Sequence, residues 1–153
     1  MARIRGFEIV SAYANAGINL PERKTAASAG YDLEAATDVI LTPQAVTIVP
    51  TGLKAYMPAD EYLGIHIRSG LAVKHSLSLI NGQGIIDADY YNNPDNEGHI
   101  LIPVFNHGQQ PVFLTKGTRI AQGIFYKYLL TDHDNKNQRV RQGGFGSTGS
   151  SDQ

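Results

Sequence analysis

The stretch NGQGIIDADYY, from Asn81 to Tyr91, has residue types and a spacing suited to hydrolytic chemistry. An apolar run ends at Asp87, where a carboxylate in a partly desolvated pocket would suit a general base. Asp89 follows two residues later, so a regular strand would place both carboxylates on one face. The alternative is a hairpin whose aspartates only favour turn geometry, and this stretch alone leaves both interpretations open.

Two other stretches contain groups that could bind phosphate. In IRSGLA, Arg68 supplies a guanidinium, Ser69 a hydroxyl and Gly70 an uncrowded backbone N–H. In AGYDLEAA, Asp32 stands among small residues, where a metal-bound triphosphate could approach it. The ordinary alternatives are a serine N-cap beside a surface arginine and an edge strand after a loop.

The segment GGFGSTGS, residues 143–150, consists of glycines and small hydroxyl residues around one aromatic, Phe145. Such a run cannot build a core, because glycine loses the most backbone entropy on ordering and Ser and Thr bury little surface. Its backbone N–H groups and hydroxyls could surround an anion while the phenyl ring covers a flat group. A solvated tail is the alternative.

Composition limits the classes of protein to which the chain could belong. Its 153 residues fit one domain, and a net charge of −1 provides no basic field for nucleic acid. The chain has no cysteine and its five histidines are scattered, which argues against disulfides and zinc sites. No signal peptide and no bilayer-spanning apolar run are recognisable, so we expect a cytoplasmic protein without membrane partners.

The apolar residues occur in short runs rich in β-branched and aromatic side chains, such as EYLGIHI, HILIPVFN and RIAQGIFYKYLL. Turn signals separate these runs at about the 8–12-residue spacing of sandwiches and barrels. The pattern predicts an all-β, antiparallel, jelly-roll-like fold over residues 1–130, with a short helix in GLAVKHSL at 70–77. The polar residues 131–153 are predicted to form a flexible C-terminal arm.

Five stretches resemble, in order, the five motifs of the trimeric dUTPase family. They are AGYDLEAA, RSGLAVKHSL, NGQGIIDADY, KGTRIAQ and RQGGFGSTG, and they extend from residue 29 to residue 149. Each is weak evidence alone, but their order and the final GGFGSTG make the resemblance specific. It implies a homotrimeric jelly roll with shared active sites that hydrolyses dUTP to dUMP and pyrophosphate with Mg2+.

The resemblance also implies a role for each matching residue. Asp87 resembles the base that activates water for attack on the α-phosphorus, and Asp32 the carboxylate that holds the metal through water. The phosphate-binding positions match Arg68, Ser69, Gly70 and Gln122. The uracil-binding hairpin matches Asn81, Gly84, Ile85 and Ile86, and Tyr90 matches the tyrosine beneath the deoxyribose. In the tail from a neighbouring subunit, Phe145 would stack on uracil while Gly146, Ser147 and Thr148 surround the terminal phosphates.

Two positions depart from the family pattern. Val140 stands where many relatives have an arginine, and Arg139 and Arg141 flank it, of which we assign Arg141 to the phosphate. The stretch YNNPDNEG, residues 91–98, lengthens the turn after Tyr90 and is predicted to be a surface excursion. It could be a neutral insertion or serve a protein partner.

Three other functions compete with this interpretation. A dCTP deaminase shares the fold, but it would need a glutamate acting on the base where this chain offers Asp87. A binding module could use the same body and the 91–98 stretch on a regulatory protein, and that role is compatible with catalysis. A structural jelly roll would need neither the aspartates nor the glycine-rich tail.

Overall fold

The structure is a computed structural model that describes residues 2–134 and 141–144. The described chain is built mainly from short strands. In chain order they are β1 (Gly6–Ile9), β2 (Tyr31–Glu34), β3 (Val39–Leu41), β4 (Val46–Pro50), β5 (Leu53–Tyr56), β6 (Glu61–Ile67), β7 (Leu77–Leu79), β8 (Gly84–Asp87), β9 (Leu101–Asn106), β10 (Val112–Leu114) and β11 (Arg119–Lys127).

The strands pair antiparallel in two larger sheets and two ribbons. The four-stranded sheet has the order β2-β11-β6-β8, the three-stranded sheet β4-β9-β7, and the ribbons are β1-β5 and β3-β10. Inward-facing apolar side chains from both sheets form one core, and each fully buried one contributes about 1.5–3 kcal/mol. This arrangement confirms the all-β, antiparallel, jelly-roll-like prediction. The largest fully buried apolar side chains are Leu33, Leu41, Val49, Leu53, Leu63, Ile100, Ile102, Val104 and Ile120.

One α-helix, α1 (Ser69–His75), lies between β6 and β7, as the sequence predicts. It ends at Ser76, whose left-handed backbone (φ 55°) turns the chain into β7. No helix of the described residues combines the length and hydropathy needed to cross a bilayer. The boundary at residue 130 between β domain and arm stays a prediction.

Residues 91–98, which we call the insert loop, lie at the surface as predicted, with Asn92, Pro94 and Asp95 exposed, but one side of the loop packs against the protein. Asn93 is 5% exposed, and the Lys54 ammonium, from β5, donates to Asn92 Oδ1 at 2.6 Å and to Glu97 Oε2 at 2.7 Å. Gly98 has φ +92°, and a Cβ there would lie 2.8 Å from the Tyr90 carbonyl oxygen. The loop therefore closes tightly enough to require glycine at its end.

His99 gives the fold a pH dependence that can be measured. Its Nε2 accepts the Gly52 N–H at 2.8 Å, and burial lowers its pKa below 6.5 while Glu97 opposes that shift. The unfolded state therefore binds the proton first, and stability should fall as the pH drops below about 6.5. We expect thermal midpoints to fall from pH 7 to pH 5 in the wild type and less in His99→Gln, which retains an acceptor.

The carboxylates do not obscure this comparison. Burial raises the pKa of Asp87, but that carboxyl is common to the wild type and the variant, so its contribution cancels in the difference between them. The glutamates with shifted pKa values, Glu8, Glu61 and Glu97, have pKa values lowered from 4.5 by hydrogen-bonding partners, so their stabilising contributions are lost only at lower pH. The other histidines are common to both proteins and cancel in the difference. Identical slopes of midpoint against pH in wild type and variant would contradict the assignment to His99.

Candidate active site

A cavity of about 360 Å³ lies between β6, β8 and the 3-10 turn Ala88–Tyr90. It brings together the predicted base, the predicted hairpin and one arginine of the arm. Three backbone features position them: β8 ends at Asp87, the turn presents Tyr90, and the arm returns at residues 141–144. Of the predicted site residues, the cavity is lined by Asn81, Gly84, Ile85, Ile86, Asp87, Tyr90 and Arg141.

The Asp87 carboxylate is paired with an arginine in this cavity. Arg141 places one guanidinium nitrogen 2.5 Å from Asp87 Oδ2 and its Nε 2.7 Å from Asp89 Oδ1. Burial raises the pKa of Asp87 above 3.8, Arg141 opposes that rise and Asp89 adds to it. A carboxylate with a raised pKa is a stronger base than an aspartate with the ordinary value, which suits proton abstraction from water.

Tyr90 forms a wall of the cavity and is 7% exposed. Its hydroxyl donates to the His99 carbonyl oxygen at 2.6 Å and accepts from Asn96 Nδ2 at 2.8 Å. The arm lies against the ring, since a Cβ on Gly144 would be 2.8 Å from Tyr90 Cε1. Only glycine allows so close an approach, which explains one of the paired glycines in the arm.

Strand β8 forms one edge of the four-stranded sheet. Its inner side pairs with β6, placing Gly84 opposite Ile65 and Asp87 opposite Tyr62. Within the described residues no strand pairs with its other side. Backbone N–H and C=O groups along that edge are therefore available to a ligand with complementary donors and acceptors.

The remaining predicted residues lie elsewhere on the same chain. Asp32 and Gln122 are register partners in β2 and β11, and Gln122 also lies opposite His66. A Cβ on Gly30 would fall 2.2 Å from Gln122 Oε1, so a larger residue there would displace the Gln122 amide. Strand β6 pairs with Gln122 near its C-terminal end, and Arg68, Ser69 and Gly70 follow directly after that end, at the start of α1.

The structure thus separates the predicted site into two halves. Asp87 pairs with Tyr62 of β6, and Tyr62 is six residues before Arg68. At about 3.3 Å per residue, the backbone positions of Tyr62 and Arg68 are about 20 Å apart along the strand. None of Asp32, Arg68 or Gln122 lines the cavity of Asp87. The predicted tail residues Phe145, Gly146, Ser147 and Thr148 lie outside the described residues.

Sequence reasoning missed two side chains beside the predicted ones. Arg119 places a guanidinium nitrogen 3.4 Å from Asp32 Oδ2, and its position within KGTRIAQ could have marked it. Asn96 binds the Tyr90 hydroxyl, but no local pattern distinguishes it from its neighbours Asn92 and Asn93.

Comparisons with known proteins agree with this geometry. The dUTPase family model matches residues 16–149. A deoxyuridine 5'-triphosphate nucleotidohydrolase of Lactococcus lactis subsp. lactis is 52% identical over 148 residues, 96% of this chain and 99% of that protein. The chain belongs to the dUTPase family. It is therefore a dUTP diphosphatase, an enzyme that hydrolyses dUTP to dUMP.

Two further relatives extend the comparison. The protein of the same name from Rickettsia prowazekii is 40% identical over 137 residues, 86% of this chain and 88% of that protein. The crystal structure of the dUTPase from Streptococcus mutans matches with a TM-score of 0.79 at 46% identity, covering 83% of this chain and 98% of that one. Both the sequence and the architecture of this dUTPase thus have relatives of the same enzyme class.

Proposed function

We propose that the Asp87 cavity holds the deoxyuridine of dUTP, with the Tyr90 ring beneath the deoxyribose where it excludes a 2′-hydroxyl, and that Asp87 is the general base of hydrolysis. The observation that carries the proposal is the Asp87 carboxylate, whose pKa is raised by burial, at the end of an edge strand that lines a nucleoside-sized cavity. Water gives a proton to Asp87 as its oxygen bonds to the α-phosphorus, and the bond from that phosphorus to the bridging oxygen breaks. Pyrophosphate leaves, lowering dUTP and supplying dUMP for thymidylate synthesis.

The hairpin from Asn81 to Gly84 and the open edge of β8, with Ile85 and Ile86, select the base. Uracil and cytosine exchange acceptor for donor at position 4, so fixed backbone groups that pair with one leave the other unsatisfied. Such a mismatch costs about 1–3 kcal/mol for each buried group. Thymine differs from uracil by one methyl, which a hairpin lying close to C5 rejects sterically. A cytosine-specific deaminase would instead require a glutamate acting on the base.

The triphosphate would be bound by the other half of the site, so the active site requires more than one chain. Arg68, Ser69, Gly70 and Gln122 supply a guanidinium, a hydroxyl, a backbone N–H and an amide, all suited to phosphate oxygens. Their separation from Asp87 supports a homotrimer in which one subunit contributes the base and the next the phosphate groups. The arm adds Arg141 to the phosphates, and Phe145, Gly146, Ser147 and Thr148 complete the cover.

We infer that the cofactor is Mg2+ and that Asp32 holds it through water. Asp32 carries a partly exposed carboxylate on the wall of a cleft of about 680 Å³. Mg2+ usually retains several waters and binds one or two carboxylates together with substrate phosphates, a donor set that Asp32 and a triphosphate would provide. When bound, the ion neutralises charge on the phosphates and so favours departure of pyrophosphate. Magnesium nucleotides are substrates inside cells, which agrees with a cytoplasmic location.

A substrate panel tests the function directly. We expect pyrophosphate release from dUTP with kcat/KM at least about 100-fold above that for dCTP, dTTP or UTP, because each rival leaves an unpaired group or a steric overlap. The measurement is pyrophosphate release by a coupled assay with Mg2+ present. Release of ammonia from dCTP would favour the deaminase, and comparable rates on all four nucleotides would contradict the proposed base and sugar contacts.

A further inference from the structure

The insert loop is fixed to the body of the protein by groups that the reaction does not use. Lys54, itself 9% exposed, joins Asn92 to Glu97 through its ammonium. Glu97 also accepts the Ser11 backbone N–H at 3.1 Å. A buried cation with two oxygen partners is costly to disrupt, so the loop is held in one conformation.

Within the loop, Asn93 fixes the orientation of the Asn96 amide. Asn93 Nδ2 donates to the Tyr90 carbonyl oxygen at 2.7 Å and to Asn96 Oδ1 at 2.8 Å. Asn96 Oδ1 also accepts the Gly98 N–H at 3.0 Å. Because the oxygen of Asn96 is committed to these two donors, its Nδ2 must be the atom that faces the Tyr90 hydroxyl.

The Tyr90 hydroxyl is consequently held between a donor and an acceptor. It accepts from Asn96 at 2.8 Å and donates to the His99 carbonyl oxygen at 2.6 Å. Two hydrogen bonds at the far end of the ring fix its tilt as well as its position. Gly144 packs against the same ring, so a displaced ring would also disturb the arm.

We propose that Asn96 is a positioning residue that acts through Tyr90 to sharpen discrimination between dUTP and UTP. The inference rests on the proposed function, in which the Tyr90 ring lies beneath the deoxyribose and excludes a 2′-hydroxyl. A ring excludes one additional oxygen only if it cannot retreat by a few tenths of an ångström, and the insert loop prevents that retreat. The loop therefore serves substrate selection from a position outside the cavity.

Asn96→Asp tests the inference with almost no change in side-chain volume. One carboxylate oxygen can replace Oδ1 as acceptor for Asn93 and Gly98, but the other cannot donate to Tyr90. The Tyr90 hydroxyl has one proton, so it can bond either this carboxylate or the His99 carbonyl and loses one of its two hydrogen bonds. We expect the ratio of kcat/KM for dUTP to that for UTP to fall about threefold to tenfold. In a Tyr90→Phe background the same substitution should leave the ratio unchanged, because the hydroxyl through which Asn96 acts is absent.

The matched control is Asn92→Asp, which makes the same chemical change in the same loop beside Lys54 instead of Tyr90. It should leave the dUTP/UTP ratio at the wild-type value, and thermal midpoints verify that each variant is folded. An unchanged ratio in Asn96→Asp, or an equal effect in the Tyr90→Phe background, would overturn the positioning role. Tyr90→Ala separates the proposed sugar contact from the positioning role of Asn96. If Tyr90→Ala lowers the dUTP/UTP ratio and Asn96→Asp does not, only the positioning role fails. If Tyr90→Ala itself leaves the ratio unchanged, the proposed sugar contact is wrong.

Discussion

Asp87→Asn should lower kcat for dUTP hydrolysis by about 10²–10⁴-fold while leaving the protein folded, because general-base catalysis contributes a factor of this size. The amide keeps the shape of the carboxylate and an oxygen that can accept from Arg141, but it cannot take a proton from water. Pyrophosphate release under saturating dUTP measures the loss, and an unchanged KM for dUTP would separate lost chemistry from lost binding.

Asp89→Asn provides the comparison. Asp89 shares Arg141 with Asp87 and lies two residues away, but unlike Asp87 it does not line the cavity. We expect its kcat to remain within about tenfold of the wild type, the loss that one weakened hydrogen bond explains. Equal losses in the two variants would mean that the pair acts only by holding Arg141, and Asp87 would no longer be the base.

The pH profile of the same reaction reports the environment of Asp87. The base must be ionised, so kcat/KM should fall as the pH drops through its pKa. Burial raises that pKa above 3.8 and Arg141 opposes the rise, so the acid limb should begin at a higher pH than for an aspartate with the ordinary pKa. Arg141→Gln should move the limb to still higher pH, because it removes the opposing charge.

The sequence predicts the local features of this enzyme well and the long-range ones poorly. EYLGIHI forms β6 over the predicted residues, and the run ending at Asp87 forms β8, because strand periodicity and turn residues are local signals. The packing of the insert loop against the body was not predicted, because its polar composition indicated only solvent exposure, whereas its partner Lys54 lies about forty residues earlier in the chain. Buried polar groups are stable when paired, and pairing across the fold leaves no periodic pattern.

The division of the site into halves was equally hidden in the local pattern. NGQGIIDADY contains β8 and KGTRIAQ, the next motif along the chain, leads into β11. Strands β8 and β11 lie on either side of β6. Only the register reveals that Asp87 aligns with Tyr62, while Ala121 aligns with Ile67 at the other end of the strand. The motifs alone therefore group residues that one chain keeps apart, and this separation is the reason for proposing that the site is shared between subunits.

Two inactive variants should restore activity to each other when their subunits are mixed. Asp87→Asn removes the base and Arg68→Ala removes a phosphate contact, and each alone should lose at least about 100-fold in kcat. In a random equal mixture, half of the subunits carry an intact Asp87 and the other half carry an intact Arg68. A shared site is complete only when the first kind of subunit meets the second in the right order, which happens at one site in four. Activity should therefore return to about one quarter of the wild-type value in a shared-site trimer.

Mixing Arg68→Ala with Gln122→Ala is the matched control, because both residues belong to one half and every site then contains a defect. That mixture should show no more than the mean activity of its two parent variants, whereas the first should exceed both of its parents after co-refolding, with mixed trimers verified by mass spectrometry of differently tagged chains. If mixed trimers form and the first pair stays inactive, Asp87 and Arg68 must act within one chain despite lying about 20 Å apart along β6. Recovery in the first mixture alone would establish that this separation is bridged between subunits.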